Sequence, residues 1–256
     1  MRAKSYAKVN IFLKITGFKD GYHQILSRFM RVKSLYDEIE FVEAECESFT
    51  VEGVDIPTKE NIITKAFYAL NRATGNLDIL EFFYNHKVVI KKNIPTQAGL
   101  GGGSSNAGVF LNMVNEVCSL GLSKDELARI GSEVGADVPF FVYGFDSANV
   151  SGFGEIVEKF DEEALDLEIF TPPVNCNTAK VYQMYRQKNG DKKIDIDSFK
   201  DWQKKESLKL LGEVKSPKLL NDLYQPALDL CPKLKTYQTE GYFFSGSGSS
   251  FFKLKL

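Results

Sequence analysis

A glycine-rich stretch at residues 94–108, "IPTQAGLGGGSSNAG", holds the residues whose types and spacing point most directly to chemistry. It places five glycines within ten residues, which indicates backbone that turns tightly or approaches another group closely. A β-branched segment precedes it, and apolar residues at three- and four-residue spacing follow it. The predicted order is strand, loop and helix, with Ser104 and Ser105 at the helix N-cap. Free N–H groups at a helix N-terminus bind anions, so we expect a phosphate here.

This stretch differs from the common phosphate-binding loops. It lacks the lysine of a Walker A loop, the third glycine and downstream acid of a dinucleotide-binding fold, and the flanking motifs of a protein kinase. A flexible turn before a core helix is the alternative, but two serines after three adjacent glycines exceed what a turn needs. We therefore expect Gly102 and Gly103 to adopt positive φ and to leave space for phosphate oxygens.

Further polar candidates stand near the N-terminus. In "AKVNIFLKI", the alternation of a strand places Lys8 and Asn10 on one face. The hairpin-type sequence "KDG" comes next, and Tyr22 and His23 follow it directly. A phenol ring and an imidazole can stack on a base and hydrogen-bond its edge, although such a pair can also simply pack on the hairpin.

Asp137 is the candidate carboxylate. It follows a helix that is predicted to begin with a capping box of Ser123 and Glu126 and to end at Gly135. The apolar run "VPFFVYG" after it predicts a strand. A carboxylate there can orient a hydroxyl nucleophile or accept its proton, but spacing alone favours a turn-forming aspartate.

Composition excludes several classes of function. The 256 residues carry a net charge of -2, which argues against nucleic-acid binding because a phosphate backbone requires a basic surface. No apolar run reaches the roughly 18 residues of a membrane span, and the N-terminus leads into a strand instead of a signal peptide. The four cysteines are widely separated, which favours a reducing compartment with neither zinc nor disulfides. We therefore expect a cytoplasmic protein that contacts no membrane.

The remaining pattern predicts an α+β fold. Strands are predicted at "ILSRFMRV", "DEIEFVEA" and "SFTVEGV", and a helix that ends at its glycine is predicted at "KENIITKAFYALNRATG". The second half begins with a strand, a proline break and a helix, and a boundary between domains is placed near residues 160–172. The charged stretch at residues 188–207 is predicted as a solvated loop or surface helix. A strand, a glycine-serine turn and a strand end the chain.

Four segments occur in the order of the three motifs of the GHMP small-molecule kinase superfamily, and together the chain resembles that family. They are "AKVNIFLKITGFKDGYHQI", "PTQAGLGGGSSNAG", "GADVPFFVYG" and "SGSGSSFF". The resemblance implies a two-domain GHMP kinase fold, with a domain like ribosomal protein S5 domain 2 at residues 1–165 and a ferredoxin-like domain at residues 166–256. Relatives continue through another helix and strand after the last motif, so the C-terminal domain is expected to be shortened.

Within the superfamily the chain is similar to the kinases of a methylerythritol that carries a cytidine diphosphate head. This implies phosphoryl transfer from ATP, with Mg²⁺, to the 2-hydroxyl of that substrate in the non-mevalonate isoprenoid pathway, by a monomer or a homodimer. One alternative is another GHMP kinase, acting on mevalonate, phosphomevalonate, a sugar or homoserine. A nucleotide sensor that has lost catalysis is a further alternative.

The resemblance also assigns roles to residues. Lys8 and Asp137 match the catalytic pair, and Gly246 and Gly248 match the third motif, which supports the nucleotide loop. Gln97 stands where the family commonly has a glycine or another small residue, so the early loop is expected to be shaped differently. The substrate-binding positions are Asn10, Tyr22, His23, Phe153 and Tyr182. The ATP-binding positions are Pro95, Thr96, Gln97, Ala98, Gly99, Leu100, Gly101, Gly102, Gly103, Ser104 and Ser105, with Asn61 and Lys92 beside the adenosine.

Overall fold

The chain begins with a long β-hairpin. In the computed structural model, which describes residues 1–190 and 195–255, strand β1 (Arg2–Lys19) turns into strand β2 (Tyr22–Glu43). The turn residues Asp20 and Gly21 have φ values of 51° and 86°, the left-handed pair of a two-residue hairpin, so the predicted turn is confirmed. The strands predicted at "ILSRFMRV" and "DEIEFVEA" are both parts of β2, because neither glycine nor proline interrupts this segment.

Seven further strands and ten helices follow among the described residues. The strands are β3 (Val51–Glu52), β4 (His86–Lys91), β5 (Ser147–Gly152), β6 (Ile156–Lys159), β7 (Leu167–Phe170), β8 (Phe243–Phe244) and β9 (Phe251–Leu254). The helices are α1 (Ile62–Thr74), α2 (Leu77–Tyr84), α3 (Gly102–Val117), α4 (Lys124–Val134), α5 (Val138–Tyr143), α6 (Thr178–Asn189), α7 (Lys200–Lys204), α8 (Ser207–Glu213), α9 (Pro217–Leu220) and α10 (Tyr224–Leu230). Short 3₁₀ turns cover Thr58–Glu60, Ile196–Phe199 and Pro232–Tyr237.

The strands of the described segments form two sheets. The larger has the order β3-β4-β2-β5-β6 with β1 paired to β2, and the smaller has the order β7-β9-β8. The first half of β2 runs antiparallel to β5, with Arg28 opposite Asn149, and its second half runs antiparallel to β4, with Ile39 opposite Ile90. Helices and mostly antiparallel strands occur together, which confirms the α+β class.

Contacts divide the chain into two compact units, each built from separate segments. Unit 1 comprises Met1–Ala7, Leu35–Ile94 and Gly102–Phe145. Unit 2 comprises Lys8–Ser34, Pro95–Gly101 and Asp146–Leu256. Neither unit coincides with residues 1–165 or 166–256, so that pair of family domains stays a prediction.

Unit 1 has an aromatic core between its helices and its share of the larger sheet. Helix α1 packs on α3 and α4, and α5 packs on the same two helices. The rings of Phe41, Phe49, Phe83 and Phe110 contact one another edge to face or tilted, the arrangements that aromatic quadrupoles favour. This packing fixes α1, α3 and α5, whose N-termini carry the residues considered below.

Both ends of helix α4 are those that the sequence predicted, but the element predicted after it is not. Ser123 and Glu126 form the predicted capping box at the start of α4, and Gly135 caps its end. The strand predicted from "VPFFVYG" is wrong, because α5 occupies this segment. Pro139 lies in its first turn, where the missing N–H costs nothing, and Gly144 ends it with a φ of 70°.

Unit 2 contains the smaller sheet and most of the short helices. The predicted strand and helix after residue 165 are β7 and α6, and the predicted strand, turn and strand at the C-terminus are β8, residues 245–250 and β9. Of the charged stretch at residues 188–207, residues 191–194 lie outside the described residues, and the rest is mostly helical. None of the helices in the described ranges is both long and apolar enough to cross a bilayer.

Candidate active site

The glycine loop leads into helix α3, as predicted, but the helix begins earlier than expected. Its first residue is Gly102, so Ser104 and Ser105 lie inside the first turn and are not N-caps. Positive φ falls on Gln97 (53°), Gly99 (75°) and Gly101 (69°), which form the turn ahead of the helix. The expectation of positive φ at residues 102 and 103 is therefore wrong, because both have already entered helical geometry.

The first turn of α3 has free space at one glycine only. A Cβ atom added to Gly102 would lie 2.9 Å from Ile94 Cγ2 and 3.2 Å from Lys92 Nζ, which is too close for a side chain. A Cβ atom added to Gly103 would have an ordinary contact of 3.6 Å with Ile62 Cγ2. Gly103 is exposed, so nothing within the described part of unit 1 demands a glycine there. A requirement for glycine at this position would come from a ligand.

A buried polar network anchors the start of α3 to β1. Ser105 Oγ donates to the carbonyl of Tyr6 at 2.7 Å and lies 2.7 Å from Ser5 Oγ. Ser5 Oγ also lies 2.8 Å from Asn106 Oδ1. Because its hydroxyl is used in this way, Ser105 can offer a ligand only its backbone N–H. Its place among the ATP-binding positions stays a prediction.

Two residues predicted beside the adenosine have structural partners in unit 1. Lys92 Nζ pairs with Asp37 at 2.5 Å, and the fully buried Asp37 carboxylate also accepts the backbone N–H groups of Asn93 and Ile94. Asn61 is the N-cap of α1, where its side-chain oxygen accepts the N–H of residue 63 at 2.9 Å. These bonds fix both side chains, and their contact with a nucleotide stays a prediction.

The loop of unit 2 is braced by the glycine-serine turn at residues 245–250. Ser245 Oγ donates to the Gly99 carbonyl at 2.9 Å, and the Ser250 N–H donates to the Ala98 carbonyl at 3.1 Å. A Cβ atom added to Gly246 would lie 3.0 Å from the Gly99 oxygen, and the φ of 56° at this residue also favours glycine at this close approach. The structure thus brings the turn with the third-motif glycines against the loop.

Lys8 and Asn10 lie on one face of β1, as the alternation predicted. Lys8 Nζ donates to Asn10 Oδ1 at 2.7 Å and lies 4.0 Å from the centre of the Phe29 ring. The Asn10 amide donates to Ser27 Oγ at 2.9 Å, and the Lys8 N–H donates to the Leu100 carbonyl at 3.0 Å. Lys8 is only 4% exposed, so its ammonium has been taken out of bulk water and its electrostatic effect is correspondingly stronger.

The aromatic residues predicted beside the base form two neighbouring groups in unit 2. The Tyr22 ring, 70% exposed, lies 6.0 Å from the Phe153 ring. The His23 ring lies 5.2 Å from the Tyr182 ring at an interplanar angle of 33°. The four predicted rings thus form two pairs, and the phenol ring of Tyr22 is exposed; their contact with a base stays a prediction.

Sequence reasoning missed two residues of this aromatic group. The Phe18 ring lies 5.0 Å from His23, and the Tyr185 ring lies 5.9 Å from it. Burial, and secondarily the charge of Asp222, raises the pKa of Tyr185 to about 12, so its hydroxyl stays protonated. Tyr185 follows Tyr182 by three positions on α6, and this helical spacing was the available signal.

Asp137 stands at the N-cap position of α5 in unit 1 and is partly buried. Its φ and ψ of -82° and -11° are helical, and its side chain makes no capping hydrogen bond to the helix that it precedes. Spacing alone favoured a turn-forming role, in which such a carboxylate hydrogen-bonds to its own backbone. Residues 135–138 nevertheless form a hydrogen-bonded turn, in which the Val138 N–H donates to the Gly135 carbonyl at 3.0 Å, so the turn-forming and the catalytic interpretations of Asp137 both stay open.

Known proteins were compared with the sequence and the fold. The family model described as GHMP kinases N terminal domain matches residues 61–145. A 4-diphosphocytidyl-2-C-methyl-D-erythritol kinase of Sulfurovum sp. is 54% identical over 252 residues, which cover 98% of each chain. The same kinase of Sulfurimonas denitrificans is 50% identical and covers 98% of this chain and 96% of its own.

Solved structures agree with the sequence relatives. A crystal structure of 4-(cytidine 5'-diphospho)-2C-methyl-D-erythritol kinase superposes with a TM-score of 0.73 at 27% identity, covering 99% of this chain and 90% of that one. The mevalonate kinase of Methanococcus jannaschii, at 15% identity and a TM-score of 0.62, shares the fold. The expected GHMP kinase fold is confirmed, and the chain belongs to the 4-diphosphocytidyl-2-C-methyl-D-erythritol kinase family of the GHMP kinases.

Proposed function

We propose that this ATP-dependent kinase transfers the γ-phosphoryl group to the 2-hydroxyl of 4-diphosphocytidyl-2-C-methyl-D-erythritol in the non-mevalonate isoprenoid pathway, giving the 2-phosphate and ADP. The observation that carries the proposal is the arrangement in unit 2. There the ammonium of Lys8 is bonded to Asn10, and β1 leads from them to the hairpin with Tyr22 and His23. A phosphoryl-transfer lysine and a base-binding aromatic group thus belong to one strand pair.

The triphosphate is assigned to the glycine loop and the N-terminus of α3. Backbone N–H groups of residues 101–105, together with the positive end of the helix dipole, neutralise phosphate oxygens without a lysine in the loop. The space at Gly103 fits this role, because a group larger than hydrogen would compete with the phosphates there. The turn at residues 245–250 holds the loop in place from its other side.

Lys8 and Asp137 are assigned to the reaction itself. Phosphoryl transfer needs charge on the moving group to be neutralised and the attacking hydroxyl to be held in line. Lys8 stabilises the phosphoryl group as it moves, and the bond to Asn10 fixes the position of its ammonium. Asp137 orients the 2-hydroxyl and accepts its proton; because a loose transition state needs proton removal only late, orientation is the larger part of its contribution.

Mg²⁺ is assigned to the nucleotide phosphates. Among the described residues, no group of three or more His, Cys, Asp or Glu side chains is placed to hold a metal ion. Mg²⁺ bound to those phosphates would supply further charge neutralisation. A cytoplasmic location and a monomeric or homodimeric state complete the proposal.

The cytidine head is assigned to the aromatic groups of unit 2. The exposed Tyr22 ring and its neighbour Phe153 stack on the base, and His23, held between Phe18 and Tyr182, reads its edge. Binding energy from this remote head positions the acceptor hydroxyl for reaction.

A coupled assay of ADP release tests the function. ATP and Mg²⁺ are supplied with 4-diphosphocytidyl-2-C-methyl-D-erythritol, with free 2-C-methyl-D-erythritol, with mevalonate or with homoserine. We expect rapid ADP release only with the cytidine compound. Equal turnover of the free methylerythritol would contradict the role of the aromatic groups, and turnover of mevalonate or homoserine instead would favour another GHMP kinase activity. Tight ATP binding without any turnover would indicate a sensor.

A further inference from the structure

A chain of buried hydrogen bonds begins at the Lys8 ammonium in unit 2. The ammonium donates to Asn10 Oδ1 at 2.7 Å, and the Asn10 amide donates to Ser27 Oγ at 2.9 Å. The Ser27 hydroxyl in turn donates to the Phe12 carbonyl at 2.5 Å. The side chains of Lys8, Asn10 and Ser27 are all buried. The chain therefore ends on the backbone of β1, where it is shielded from competing water.

The strands β1 and β2 place these groups on one face. Asn10 follows Lys8 by two positions on β1, and Phe29 follows Ser27 by two positions on β2, so each pair shares a face of its strand. The Lys8 ammonium lies over the Phe29 ring, and the Asn10 amide contacts Ser27. Ser27 therefore lies on the same side of the sheet as the lysine that is assigned to the reaction.

The chemistry of the groups fixes the direction of each bond. A carbonyl oxygen can only accept, so the Ser27 hydroxyl gives its single proton to Phe12. The Ser27 oxygen is then left as an acceptor, which requires the NH₂ end of the Asn10 amide to face it. The amide oxygen consequently faces Lys8, whose ammonium can only donate. Ser27 thus selects the orientation of Asn10 that accepts a hydrogen bond from the Lys8 ammonium.

Loss of the Ser27 hydroxyl would disturb the ammonium through the amide. The Asn10 NH₂ group would lose its acceptor, and a buried donor without an acceptor costs free energy. The amide would therefore move toward another partner, and the hydrogen bond that holds Lys8 would move with it. Such a shift has a large effect here, because interactions of a charge are strong where water is excluded.

We propose that Ser27 is a positioning residue for phosphoryl transfer, which holds the Lys8 ammonium in place through Asn10. The inference rests on the proposed function, in which Lys8 stabilises the phosphoryl group as it moves, and adds the group that determines where the ammonium lies. Ser27 itself touches neither substrate nor nucleotide in this assignment. A displacement of about 1 Å in a positioned group can cost roughly 100-fold in rate.

The first test separates kcat from nucleotide binding. Ser27→Ala deletes only the hydroxyl and should lower kcat by roughly 10- to 100-fold, whereas ATP affinity should change by less than about threefold. Ser27→Thr keeps the hydroxyl at a strand position that suits a β-branched residue, and should keep kcat within about threefold of the wild type. Steady-state kinetics and ATP-binding calorimetry would measure both variants. A loss of kcat as large in Ser27→Thr as in Ser27→Ala would contradict the role of the hydroxyl.

The matched control is Ser147→Ala. Ser147 is another buried serine of unit 2, and its hydroxyl donates to Glu162 Oε1 at 2.7 Å, outside the chain that begins at Lys8. Its loss should lower the urea midpoint of unfolding, as the loss of the Ser27 hydroxyl does, but leave kcat within about twofold of the wild type. Equal losses of kcat in Ser147→Ala and Ser27→Ala would attribute the effect to stability and overturn the positioning role.

A double-mutant cycle tests whether Ser27 acts through the lysine. In the Lys8→Met protein the ammonium is absent, so adding Ser27→Ala should lower kcat further by less than about twofold. The same 10- to 100-fold loss with and without the ammonium would show that Ser27 acts independently of Lys8, and would overturn the proposal.

The two levels of failure can be told apart. If the wild type releases no ADP with the cytidine compound, or if Lys8→Met keeps the wild-type kcat, the proposed function or its lysine is wrong, and this inference falls with it. If Lys8→Met loses activity but Ser27→Ala keeps the full kcat, only the inference is wrong. Should Ser27→Ala not fold, Ser27→Cys takes its place in every comparison, because a thiol nearly keeps the volume but is a weak donor and acceptor.

Discussion

The loop at residues 95–105 and the turn at residues 245–250 are both rich in glycine and serine but differ in exposure. In the loop, Pro95, Gln97 and Gly103 are exposed, whereas every residue of the turn is buried. The polar groups of the turn are bonded within the protein: Asn221 donates to the Phe244 and Gly246 carbonyls at 3.0 and 2.9 Å.

The difference shows two uses of glycine. In the turn, side chains are excluded by the protein itself, since a Cβ atom on Gly248 would lie 2.3 Å from Phe244 Cζ. In the loop, Gly103 has room for a side chain, and we attribute the glycine there to the phosphates of a bound nucleotide. Substitutions in the two segments should therefore affect different quantities: stability in the turn, and nucleotide binding in the loop.

The largest expected effect lies at the proposed catalytic pair, where activity should fall without loss of the fold. Asp137→Asn removes charge and basicity, and Lys8→Met keeps most of the apolar stem but removes the ammonium that lies over the Phe29 ring. Each should lower kcat by roughly 10²- to 10⁴-fold, and the double variant should lose little more, because groups that act as a unit are not additive. Steady-state kinetics with ATP affinity measured in parallel would check this.

A matched control for Lys8→Met is Lys14→Met, because Lys14 is also a buried lysine of β1. Lys14 pairs with Asp222 in a mostly buried setting. Its loss should therefore lower the unfolding free energy and have little effect on kcat. For the carboxylate, a loss of less than about tenfold in Asp137→Asn would return that residue to a turn-forming role.

The next largest effect tests the turn. Gly248→Ala combines a positive φ of 88° with a clash against the buried Phe244 ring, and should lower the unfolding free energy by about 2–4 kcal/mol. Gly241→Ala has the same strain, at a φ of 81°, but no atom within 4 Å of the added Cβ. It should cost only about 1 kcal/mol. Urea unfolding would compare the two variants. Equal losses of unfolding free energy would show that strain at positive φ, and not packing against Phe244, sets the cost in the turn.

The smallest effect concerns Gln97, a non-glycine residue at a φ of 53° in the loop. Gln97→Gly should raise the unfolding free energy by about 0.5–1 kcal/mol, because the strain of a left-handed residue exceeds the entropy that glycine loses on folding. Gln97→Ala keeps a Cβ atom and should bring no such gain. Urea midpoints of the three proteins would measure it. An equal gain in Gln97→Ala and Gln97→Gly would mean that the stability comes from removing the glutamine side chain, and not from relieving backbone strain.

Local signals in the sequence were sufficient for much of the fold. Ser123 and Glu126 cap α4 through bonds between neighbours in the chain, and Asp20 and Gly21 need only their own φ values. The shared face of Lys8 and Asn10 follows from strand geometry alone. These features were predictable because each depends on a few adjacent residues.

Features that depend on tertiary contacts were not predictable. The apolar run after Asp137 fits a strand or a buried helix equally, and packing of α5 on α3 and α4 decides for the helix. Arg28 looks like an ordinary strand arginine, although its guanidinium binds carbonyls about 175 positions away. The start of α3 at Gly102 is likewise set by the turn before it, through the positive φ of Gly101.

The most direct test of the account is a paired measurement on Gly103→Ala, in which stability and ATP affinity should change in opposite directions. Alanine is the better helix former, so the free energy of unfolding should rise by up to about 1 kcal/mol. ATP binding should weaken by roughly 5- to 150-fold, because the methyl group competes with the phosphates. Gly212→Ala on α8, where no atom lies within 4 Å, should show the stability gain alone. Unchanged ATP affinity in a stabilised Gly103→Ala protein would contradict the assignment of the loop to the triphosphate.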